Sequence, residues 1–158
     1  MAISMPTNKA FDPTKFFSFA GSLVRDSSAN EAALRSAISR AYYSIFLVAR
    51  DSLFGTDEAR LTSGIRKRIN RNYQTATHGR QRELGTHALV IFAVRDKTNN
   101  FTLSQQIDQL KEARVNADYK MSQQCIIDAG KQSWREYAEE TMQLAALILP
   151  IVKKLPSY

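Results

Sequence analysis

Apolar residues recur at three- and four-residue steps along most of this chain, and no segment keeps a two-residue alternation. The pattern predicts helices throughout. Asp12 suits an N-cap and Pro13 a first helical position, ahead of a stripe of Phe16, Phe19, Ala20 and Leu23. Ser27, Ser28 and Asn30 mark a break, and Ser28 with Glu31 has the spacing of a capping box. The next helix has the strongest periodicity, carrying Leu34, Ala37, Ile38, Ala41, Ile45, Val48, Ala49 and Leu53 until Gly55 ends it. Tyr42, Tyr43 and Phe46 lie beside that stripe, so this helix is apolar over much of its circumference, as a central or dimer-facing helix would be.

Leu61, Ile65 and Ile69 are spaced as a short helix, and Thr75 to Gly79 reads as a loop. Leu84, Ala88, Ile91, Phe92 and Arg95 predict a further helix that Asp96 to Asn100 closes. Thr102 with Gln105 is a second capping-box spacing, opening a helix with Ile107, Leu110, Arg114 and Ala117. A last helix is predicted from about Ser122 through Ile127, Gly130, Trp134, Tyr137, Thr141, Leu144 and Ile148. Together these predict an all-α fold, an up-and-down antiparallel bundle of four or five helices in a single domain with its core over about 12–149. Leu34, Ile38, Ile45, Leu110, Ile127, Trp134 and Leu144 are expected to share one core.

Composition narrows the setting. The 158 residues suit one domain, and a hydrophobic share of 44% allows a buried core. A lone cysteine, Cys125, cannot form an internal disulfide or a cysteine cluster for zinc. The first residues lack a basic stretch followed by an apolar one, so they do not read as a secretion signal. The longest apolar run, Leu144 to Val152, is too short to span a bilayer. A cytoplasmic protein without a membrane segment is expected. The charge is uneven: seven of the 22 bases (Arg60, Arg66, Lys67, Arg68, Arg71, Arg80, Arg82) fall in one stretch without an acid, leaving 15 bases against 15 acids elsewhere. A localised excess of this kind attracts polyanions, nucleic acid above all, although a solvated basic surface has the same composition.

Arg114 breaks the core pattern, standing on a stripe with Ile107, Leu110 and Ala117 where leucine would fit. Arginine keeps its charge, so that position demands a carboxylate, a phosphate or a solvated cleft. Asp118 lies four residues on, and Tyr119 adds a hydroxyl. A packing ion pair and an anion-binding cleft are both consistent with this arrangement. His78 and His87 are too few for a histidine metal site, and taken singly each reads as an ordinary surface or core histidine. No phosphate loop or nucleophile elbow is present, and no cofactor is expected.

The helix segment Leu34-Arg35-Ser36-Ala37-Ile38-Ser39-Arg40-Ala41-Tyr42-Tyr43-Ser44-Ile45-Phe46 resembles the signature helix of the HEPN superfamily. Leu110 through Tyr119, ending Arg114-Val115-Asn116-Ala117-Asp118-Tyr119, resembles its second signature, and Thr77-His78-Gly79 a shorter element between the two. The resemblance implies a bundle of about four antiparallel helices, commonly a homodimer, in toxin–antitoxin or antiviral defence systems. In active members it implies metal-independent RNA cleavage by an arginine and a following histidine facing a dimer cleft. Arg114 takes the arginine's place, while Asp118 and Tyr119 stand where the histidine would be. Through the resemblance, Arg114, Asp118 and Tyr119 become the candidate catalytic residues. Arg40, Tyr43, Arg66, Lys67, Arg68, Arg71 and His78 become candidate RNA contacts. Some relatives pair with a small nucleotidyltransferase that modifies a tyrosine near the motif, which makes such an enzyme a candidate partner and Tyr119 a candidate acceptor.

Overall fold

The computed structural model describes residues 11–55, 63–73, 84–120 and 122–158, and within them the chain is all-helical with no strand. Its helices are α1 Thr14–Arg25, α2 Glu31–Phe54, α3 Ser63–Tyr73, α4 Thr86–Thr98, α5 Phe101–Tyr119, α6 Gln124–Asp128 and α7 Trp134–Val152. The anticipated loop at Thr75–Gly79, together with Leu61, His78 and the bases Arg60, Arg80 and Arg82, lies outside the described residues. Among the described residues no helix is long and apolar enough to cross a membrane.

The helix with the strongest periodicity sits at the centre. Thirteen of the 24 residues of α2 are buried, more than one apolar stripe supplies, so it needs neighbours on several sides. It has them in α1, α4, α5 and α7. The apolar interior divides into two clusters. The larger gathers Tyr42, Ile45, Phe46 and Leu53 of α2 with Leu89, Val90, Leu103, Ile107, Leu110 and Ile148. The smaller gathers Leu34 and Ile38 with Ala113, Ala117, Cys125, Ile126, Trp134, Tyr137 and Ala138. The expected core is therefore shared between two clusters, with Leu144 only partly buried against the larger.

Ile127 departs from expectation and is 63% exposed. The cause is a break in the last predicted helix: α6 stops at Asp128, Gly130 takes a left-handed φ of 71°, and α7 restarts at Trp134. Two short periods with independent phase replace one long one, and Cys125 and Ile126 turn inward instead. Ser133 caps α7, accepting from Glu136 N at 3.1 Å while the Glu136 carboxylate accepts from Gln132 N at 2.6 Å. Ser133-x-x-Glu136 thus has the spacing of a capping box, with the return bond falling one residue early, on Gln132 N rather than Ser133 N.

The other caps also shift. Asp12 accepts from Thr14 N at 2.9 Å, so Pro13 becomes the residue before the helix. Asn30 caps α2 by accepting from Ala33 N at 2.9 Å, and Asn100 caps α5 by accepting from Leu103 N at 2.9 Å. Ser28 instead closes a turn on Asp26. At α2 and α5 an asparagine side chain thus displaces the anticipated serine or threonine. Two arginines then fix helix ends: Arg135 donates to Val24 O and Asp26 O at the end of α1, and Arg35 to Ala117 O and Lys120 O at the end of α5.

Ile38, fully buried where α2 meets the smaller cluster, and the exposed Ile127 make a contrasting pair. Ile38→Ala is expected to cost roughly 2–5 kcal/mol in urea unfolding, whereas Ile127→Ala stays within about 0.5 kcal/mol of the parent.

Candidate functional site

Arg35 holds the C-terminal end of α5 against α2, and this sets Asp118 and Tyr119 beside the α2 residues Ser39 and Tyr43. Arg114 reaches the same place from one turn earlier. Its Nη2 donates to the Tyr43 hydroxyl at 2.9 Å and to the Tyr119 hydroxyl at 3.0 Å. The guanidinium carbon lies 5.3 Å from the centre of the Tyr43 ring and 5.0 Å from that of Tyr119, within cation–π range of both. Nε stands 2.7 Å from Asp118 Oδ2, at too shallow an angle for a directed hydrogen bond, so this contact is an ion pair. The other carboxylate oxygen of Asp118 accepts from Ser39 Oγ.

The side chains of Arg114 and Asp118 are 15% and 28% exposed, so the pair is neither buried nor fully solvated. Desolvation pulls the Arg114 pKa down, but the oxygens of Tyr43, Asp118 and Tyr119 outweigh it and raise the net value. The positive charge is locked on. Nη1 donates to no group among the described residues, leaving one edge of the fork uncommitted.

Beside this cluster an open groove of about 700 Å³ runs along α2, lined by Ser36, Ser39, Arg40, Tyr43 and Asp118 among others. Arg40 forms no ion pair among the described residues and rests over the Phe16 ring at 5.1 Å. Of the candidate residues, Arg40, Tyr43, Arg114, Asp118 and Tyr119 are thus brought together. The basic residues of α3 form a separate group. Arg66, Lys67, Arg68 and Arg71 lie on a helix that packs against α4, and Arg68 is tied to Asp96 at 3.2 Å.

The residue that single-residue reasoning passed over is His87. Its Nδ1 lies 2.5 Å from the Tyr42 hydroxyl, and its ring stacks on Phe46 at 4.3 Å between centroids. The ring also meets Tyr43 edge-on at 6.2 Å. Tyr43 therefore touches Arg114 on one side and His87 on the other. No spacing signals this, because His87 sits on α4, 45 residues from Tyr42. Burial first, then the charges of Arg114 and Lys111, lowers the His87 pKa below the usual 6.5. Burial raises the Tyr42 pKa against the pull of Arg114, so a protonated phenol meets a neutral ring across this contact.

Comparison of the chain with protein-family models, with curated proteins and with solved structures finds no match.

A depressed histidine pKa means that the unfolded chain takes up the proton first as pH falls. The His87 contribution to stability is therefore complete above about pH 6.5 and is lost as pH drops from there through the lower folded value. Thermal melts across this window should show a decline below pH 6.5 that becomes shallower in His87→Gln. An equal decline in the variant would contradict the assignment.

Proposed function

We propose that this chain is a HEPN-like protein of a toxin–antitoxin or antiviral defence system, an up-and-down helical bundle that works in the cytoplasm as a homodimer. It binds RNA by holding a backbone phosphate against Arg114. The observation that carries this reading is the state of the Arg114 fork: two tyrosines and one acid fix it, its charge cannot be lost, and Nη1 has no partner among the described residues. A guanidinium held in this way is pre-organised for a phosphate oxygen. The order of the two sequence motifs and the helical architecture agree with it. Arg40 and Tyr43 extend the binding surface along the α2 groove, and Arg66, Lys67 and Arg71 add attraction that does not depend on sequence. The function assigned to this site is binding. Asp118 occupies the Nε edge, which leaves the Nη1 side as the one a phosphate oxygen approaches.

Tyr119 supports a second reading. At 66% exposure it forms the outer wall of the cluster at the end of α5, where a partner enzyme could reach the hydroxyl that Arg114 Nη2 holds. In that reading the chain is a non-catalytic dimerising subunit paired with a nucleotidyltransferase, and Tyr119 receives the modification.

Fluorescence anisotropy with a labelled single-stranded RNA tests the first reading. Arg114→Met should weaken binding at least tenfold while keeping the helical circular dichroism spectrum. Replacing Arg66, Lys67 and Arg71 with glutamine should flatten the dependence of log K on log salt by about 0.7 for each phosphate that these side chains neutralise. Arg68 is left in place because it holds Asp96. Unchanged affinity in Arg114→Met would remove the phosphate from this cleft, and little or no RNA cleavage is expected from the parent chain.

Pairing of two chains is checked separately. Multi-angle light scattering at high micromolar concentration should give twice the 17.8 kDa chain mass, and a monomer mass would overturn the dimer.

A further inference from the structure

Four charged side chains line the groove along α2, and three of them are already answered. Glu31 pairs with Arg35 at 3.0 Å, and Asp118 pairs with Arg114. Arg40 is the fourth. Its guanidinium has no hydrogen bond and no ion pair among the described residues. What it has is a ring beneath it, since its central carbon lies 5.1 Å from the centre of the Phe16 ring of α1.

Phe16 has no place in the interior. On α1, Phe17, Ala20 and Val24 pack into the larger apolar cluster, whereas Phe16 belongs to neither cluster. Phe11 packs on it at 5.0 Å between ring centres and is itself 57% exposed. Core burial thus gives no reason for either ring, while a guanidinium steadied over an open groove does. A guanidinium is flat, so a ring against one face leaves the other for a second planar group. Unpaired RNA bases stack on arginine planes as they do on aromatic rings. The position also fits. Arg40 precedes Tyr43 by three residues, about 4.5 Å along the helix axis, and Tyr43 is one of the two tyrosines that hold Arg114.

We propose that the groove selects single-stranded RNA, the base next to the Arg114-bound phosphate stacking on the Arg40 guanidinium with Phe16 behind it. This rests on the phosphate-binding reading and adds a specificity-determining residue to it. A paired base is already stacked between its neighbours in a duplex, so the site discriminates by strandedness. Every base has a flat face, so it does not discriminate by sequence.

The test is fluorescence anisotropy of the full chain with a labelled RNA dodecamer, single-stranded and then paired with its complement. The parent is expected to bind the single strand at least tenfold more tightly. Arg40→Lys keeps the charge and loses the plane. It should weaken the single strand at least fivefold, keep the slope of log K on log salt, and leave duplex binding within twofold. Phe16→Leu changes no charge and should weaken the single strand at least twofold while keeping the helical circular dichroism spectrum. Equal affinity of the parent for both forms overturns the stacking and leaves the phosphate site standing. So does single-strand affinity that is undiminished in Arg40→Lys, or that falls there by the same factor as duplex affinity. A parent that binds neither form, or an Arg114→Met variant that binds the single strand as the parent does, removes the phosphate site and the stacking with it.

Discussion

Arg114 carries a charge that no environment within reach of this fold can remove, and it sits on the stripe of α5 that packs toward α2. Its surroundings are arranged accordingly. Asp118 balances the charge, Ser39 holds Asp118, and the hydroxyls and rings of Tyr43 and Tyr119 receive Nη2. These groups come from α2 and from the end of α5, so the cluster exists only while those two helices keep their register. Arg35 secures that register by donating to carbonyls that α5 leaves open at its C-terminus. An apolar residue at 114 would ask for none of this, and α5 could then be held by packing alone.

What could be read from the sequence followed the range of each interaction. Helix periodicity was legible because burial on one face imposes it over many residues, and α2 was recognisable as a central helix from its apolar circumference alone. The Arg114–Asp118 pair was also legible, being four residues apart on one helix. Caps were less so, since several residues near each helix start can accept the same N–H groups, and Asn30 and Asn100 took the role from their neighbours. Ile127 failed because a single glycine at positive φ resets the helical phase, which a continuous stripe hides. The contact of His87 with Tyr42 left no trace, as it depends on how α4 lies across α2.

The two charged regions differ in how they are held. Arg68 of α3 reaches Asp96 of α4, whose side chain is only 6% exposed and also accepts from the Tyr158 hydroxyl at 2.8 Å. Tyr158 in turn donates its backbone N–H to Leu53 O at 2.9 Å and stacks on Phe54 at 5.4 Å. One carboxylate thus links α3, α4 and residues after α7 to the end of α2. Arg68 is a structural tie with a charged surface, while Arg66, Lys67 and Arg71 have no such carboxylate partner among the described residues.

Trp134 is the only tryptophan in the chain, and it belongs to the smaller of the two apolar clusters. It stacks on Tyr137 at 6.0 Å, and the guanidinium of Arg35 lies 4.8 Å from its ring centre. Its emission is therefore a local optical reporter, sensitive to the packing of α7 against α2 and the end of α5 and blind to α3. Far-ultraviolet ellipticity, in contrast, averages over every helix. The protein carries two intrinsic signals with different fields of view, and their agreement or separation during denaturation measures whether its two clusters form one cooperative unit.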